Sequence, residues 1–122
     1  MTERQDDKAY LRFPHHGLDA YAVALDALGR ADRMANGLPR GYGPISDQLR
    51  RASQSAFLQL AEGAARFGAD RANRLRGARA EACEAAACVE ALAHLGLVSA
   101  DETAQLIGLL GRLAAMLTRL IR

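Results

Sequence analysis

Apolar residues recur along the chain at the three-and-four spacing of helices, and no stretch shows the alternation of strands. The pattern predicts four helices. The first runs from about Leu18 to Met34, with Leu18, Ala22, Leu25 and Leu28 as its apolar stripe. Asn36-Gly37 ends it, and Pro39 prevents continuation. The second runs from about Ile45 to Phe67 on a stripe of Ile45, Leu49, Ala52, Ala56, Leu60, Gly63 and Phe67. That is the seam of a helical bundle. Phe57, Ala61, Ala64 and Ala65 make a second patch facing elsewhere. The third runs from about Asp70 to Leu95 on Leu75, Ala78, Ala82, Ala86, Val89 and Ala93. Its opposite face is also small, with Ala80, Ala87 and Ala91 beside Cys83 and His94. Gly96 caps it. Ser99 and Glu102 then have the spacing of a capping box, and Leu106, Leu110, Leu113, Leu117 and Leu120 carry the fourth helix to about Ile121.

These elements imply an all-α, antiparallel up-down four-helix bundle over residues 17–122, preceded by a flexible tail over residues 1–16. A helix apolar on two faces is buried on both. One bundle covers only one face of the third helix, so a second copy of the chain is expected against the other. Composition points the same way. Alanine fills 26 of 122 positions and there is no Trp. The core is therefore thin, and a subunit interface adds buried apolar area at roughly 25 cal/mol per Å².

Charge is nearly balanced overall, at +2, but unevenly placed. Residues 47–79 hold seven Arg against Asp47, Glu62 and Asp70, a local excess of four. Residues 80–122 come to −2 and residues 1–46 to zero. No apolar run is expected to reach the ~18 residues of a membrane span, and the acidic N-terminus does not read as a signal peptide. A cytoplasmic protein without a membrane partner is the expectation.

Constellations for catalysis are missing from the sequence. There is no Glu-x-x-His pair for a di-iron bundle. His15-His16 lacks a third ligand, and Glu90 with His94 makes two ligands at most. Glu81 and Glu84 have no predictable His, Lys or Tyr beside them, and read as a solvated face or partners for Arg. Ser53 and Ser55 sit mid-helix without a base. Gly41-Tyr42-Gly43 is a loop and not a phosphate cradle. Cys83 and Cys88 lie about 140° apart on one helix, and read as two buried or half-buried thiols. No enzyme activity, metal or cofactor is expected.

The distinctive stretch is Gln48-Leu49-Arg50-Arg51-Ala52, followed by Ser55, then Ala61-Glu62-Gly63 and Arg66. It resembles the bacterial four-helix-bundle family of 23S ribosomal RNA intervening-sequence proteins. The chain carries Gln59-Leu60 where that family usually has Asn-Ile, and Arg79-Ala80-Glu81 answers a later family motif loosely. The resemblance covers about residues 13–122. It implies a homo-oligomer, with a pentameric ring favoured. A related branch, the accessory variability proteins of diversity-generating retroelements, implies nucleic-acid binding beside a reverse transcriptase.

Two uses of the arginines follow. Arg50, Arg51, Arg66, Arg71, Arg74, Arg76 and Arg79 form a surface for RNA or DNA, multiplied by a ring of subunits. Alternatively they make salt bridges within a protein-interaction scaffold, with Gly63 allowing close helix approach. Arginines 71 to 79 are scattered round the third helix, and aromatics for base stacking are sparse.

Overall fold

A computed structural model describes residues 12–122. It contains a short 3-10 turn, Pro14–Gly17, and four helices: α1, Asp19–Asn36; α2, Gly43–Ala64; α3, Gly68–His94; and α4, Ala100–Ile121. No strand occurs among the described residues. The helices form a four-helix bundle in which α1 and α3 each pack against both α2 and α4. The first eleven residues of the expected tail lie outside the described residues. Its last three belong to the 3-10 turn, which packs against α1 and α2.

The helix ends follow local chemistry. Pro44 lies in the first turn of α2, where its missing N–H removes no helical bond. Gly96, at φ +75°, ends α3 in a Schellman turn: Leu97 N–H donates to the Leu92 carbonyl and Gly96 N–H to that of Ala93, both at 3.0 Å. Ser99 caps α4 by accepting from Glu102 N–H at 3.1 Å.

The core is alanine and leucine. In α4, Leu106, Leu110, Leu113 and Leu117 are buried and Leu120 is half-buried. In α2, Leu49, Ala52, Ala56, Leu60 and Gly63 are buried as the spacing predicts, and Ile45 is half-buried. Phe67 differs, being 88% exposed. The helix stops at Ala64, and Phe67 is extended backbone capping α3, outside the helical register.

The stripe of α1 is a correction. Ala20, Val23, Ala24, Ala27, Ala31, Met34 and Ala35 are buried, whereas Ala22 is exposed and Leu25 is 44% exposed. The leucine stripe spans three turns; the alanine stripe continues along the whole helix and wins. In α3, Ala85, Cys88 and Leu92 take core places expected of Ala86 and Ala93, which are half-buried. Cys83 is exposed, not shielded.

Helix α4 corrects a further expectation. It is long and apolar enough, by length and composition, to cross a membrane, because Ala between its Leu and Ile residues also counts as apolar. Its leucine stripe nevertheless faces the core of the bundle, against α1 and α3.

Candidate nucleic-acid interface

The seven arginines do not share one surface. Arg50 lies on the side of α2 that meets α1. Its guanidinium pairs with Asp32 at 3.6 Å and Asp47 at 3.3 Å. It also donates to Ser46 Oγ at 3.0 Å and to Asn36 Oδ1. Ser46 Oγ in turn donates to the Ala35 carbonyl at 3.1 Å. Arg50 thus ties the end of α1 to the start of α2.

Arg66 bridges α2 to α3. It bonds Asp70 at 2.8 Å and lies 3.8 Å from Glu62. The hydrogen bond and charge of Asp70, with a smaller contribution from Glu62, hold its proton more tightly than usual. Arg71 points inward to the end of α2, where its Nη1 lies 3.4 Å from the Gly63 carbonyl and 3.5 Å from that of Ala64. These carbonyls carry the negative end of the helix dipole, which favours a cation.

Arg74 packs through its Cβ over Gly63. Arg51, Arg76 and Arg79 are exposed. No carboxylate pairs with Arg51, Arg74, Arg76 or Arg79 among the described residues. Arg76 and Arg79 project from the side of α3 away from its core stripe, about 60° apart round the axis.

The rest of the motif holds α2 to α3. Gln48 Nε2 donates to Glu84, on α3. Glu84 therefore serves a glutamine and not an arginine. A Cβ on Gly63 would come within 2.8 Å of Leu75 Cδ2, so the glycine sets how near the helices lie. Gly77 of α3 instead faces the far end of the Gln59 side chain. The sequence marked the family departure at Gln59 but gave no sign of this contact. Ser53 donates to the Leu49 and Arg50 carbonyls, and Ser55 accepts from Gln59 one turn on.

One cluster was missed. Phe13, His15, His16, Tyr21 and Phe57 gather where the 3-10 turn meets α1 and α2. Phe13 N–H donates to His16 Nδ1 at 3.1 Å. Burial, and then the neighbouring His16, lower the pKa of His15. Among the described residues, no group of three or more His, Cys, Asp or Glu could hold a metal.

A four-helix bundle with a glycine-spaced α2–α3 seam and a divided set of arginines defines the class. The family model of the 23S rRNA-intervening sequence protein matches residues 18–119. The chain belongs to that family. No curated protein matches it.

Proposed function

We propose that the protein is a non-enzymatic, homo-oligomeric accessory module that binds RNA or DNA through its phosphates. The observation that carries this reading is the division of the arginines. Arg50, Arg66 and Arg71 are engaged by carboxylates or carbonyls of the bundle, whereas Arg51, Arg74, Arg76 and Arg79 have no carboxylate partner among the described residues and keep charge for a polyanion. The family's own description, tied to 23S rRNA, supports a nucleic-acid setting.

In this reading the helices run antiparallel to their neighbours, as the short connections over 37–42, 65–67 and 95–99 support. Copies close into a ring, with five the favoured number. Exposed Cys83 and Ala87, on the outer side of the C-terminal half of α3, support a second copy there, which leaves Arg76 and Arg79 of its N-terminal half outside the contact. The ring acts in the cytoplasm beside a partner enzyme such as a reverse transcriptase. Seating of the α4 leucines in the bundle supports a protein without a membrane role.

Titration of a fluorescent oligonucleotide at two salt concentrations tests the proposal. Log affinity should fall linearly with log salt, with a slope of about −0.9 per duplex phosphate neutralised or −0.7 per single-strand phosphate. Absence of binding at low salt would leave the arginines to structural roles. The protein-interaction scaffold, favoured by the internal pairing of Arg50 and Arg66, would then be the better account.

A further inference from the structure

We infer that the N-terminal turn is a stacking site for an unpaired nucleobase, so that the ligand is single-stranded nucleic acid; this rests on the proposed polyanion binding. Phe13 is 63% exposed although it is wholly apolar. Its ring lies nearly parallel to that of His15, 8° apart with centroids at 6.0 Å. His15 rests on Tyr21 at 5.2 Å, and Tyr21 on Phe57 at 6.0 Å. The exposed ring therefore stacks on His15 at the edge of an aromatic cluster, tilted from ring to ring, that is anchored in α1 and α2. Such a platform suits any base, because every base has a π-face.

The surroundings supply what a nucleotide needs. The turn ends at Gly17, which lines an open cleft of about 270 Å³ with Leu18, Asp19, Met116, Arg119 and Leu120. The Arg12 guanidinium lies 3.8 Å from where a Cβ on Gly17 would stand. Arg119 in the cleft and Arg12 beside Gly17 are each cations available to a phosphate, and the Asp19 carboxylate can accept from a base amino group or a ribose hydroxyl. A duplex, with its bases stacked and paired, has no free face for Phe13.

The test uses the full chain with short oligoadenylate, its deoxyribose counterpart and a duplex of equal length. Phe13→Ala should weaken single strands about tenfold and leave the duplex unchanged. The two sugars show whether the strand is RNA or DNA. Phe13→Trp, in a chain that otherwise has no Trp, should keep single-strand affinity and lose fluorescence on binding. Equal affinities of wild type and Phe13→Ala for single strands, with salt-dependent binding intact, would overturn the stacking site and leave the phosphate-binding reading standing. No binding of any oligonucleotide would overturn both.

Discussion

Gly63 lies buried on α2 against Leu75 of α3, and Leu75 has no exposed surface. A methyl group there must displace a leucine that is packed on all sides. Gly63→Ala should cost on the order of 1–3 kcal/mol and Gly63→Leu at least as much, read as a lower melting temperature. Gly77→Ala meets the far end of Gln59 instead. A flexible side chain moves aside, and Ala gains about 1 kcal/mol over Gly in a helix. Its melting temperature should stay close to wild type. The thiols separate in the same way. Burial, then Glu84, raises the Cys88 pKa, so iodoacetamide should modify Cys88 only on unfolding, and Cys83, exposed on the single chain, as soon as the proposed ring dissociates. His15 gives a pH dependence. Its native pKa lies below the ordinary 6.5, so the unfolded chain binds more protons and stability rises with pH. The contribution is present above 6.5 and is lost as pH falls through 6.5 and then through the native value. NMR titration of the His15 ring should place its midpoint below 6.5.

At the scale of elements, legibility followed side-chain size. Four leucines at spacings of four, three and four fixed the buried face of α4. Alanine carries little facial information, so the spacing points to a neighbouring face of α1, and partly of α3, in place of the buried one. The α2 motif was legible because Gln48, Glu62 and Gly63 stand in a distinctive run. Sorting of the arginines was not, since it depends on Asp32 and Asn36 of α1 reaching Arg50 of α2. The aromatic cluster was equally hidden, because Phe57 joins Tyr21 only through packing. Arg50→Glu should lower stability by about 0.5–1 kcal/mol, a modest figure because its partners are partly exposed. Arg76→Glu should stay within about 0.5 kcal/mol of wild type. Chemical denaturation of the two variants checks both.

The whole molecule is a thin-cored bundle whose α3 has small residues on its buried and exposed sides alike. In the proposed ring the C-terminal half of that outer side is covered, and the mass in solution is a multiple of the 13.1 kDa chain. Nucleic-acid binding through arginines outside the internal pairs is the central claim, and charge reversal tests it most directly. Arg76→Glu with Arg79→Glu should keep the helical circular dichroism and melting temperature of wild type while losing most low-salt oligonucleotide affinity and flattening the salt slope. Undiminished affinity and an unchanged slope in that folded double variant would contradict the account.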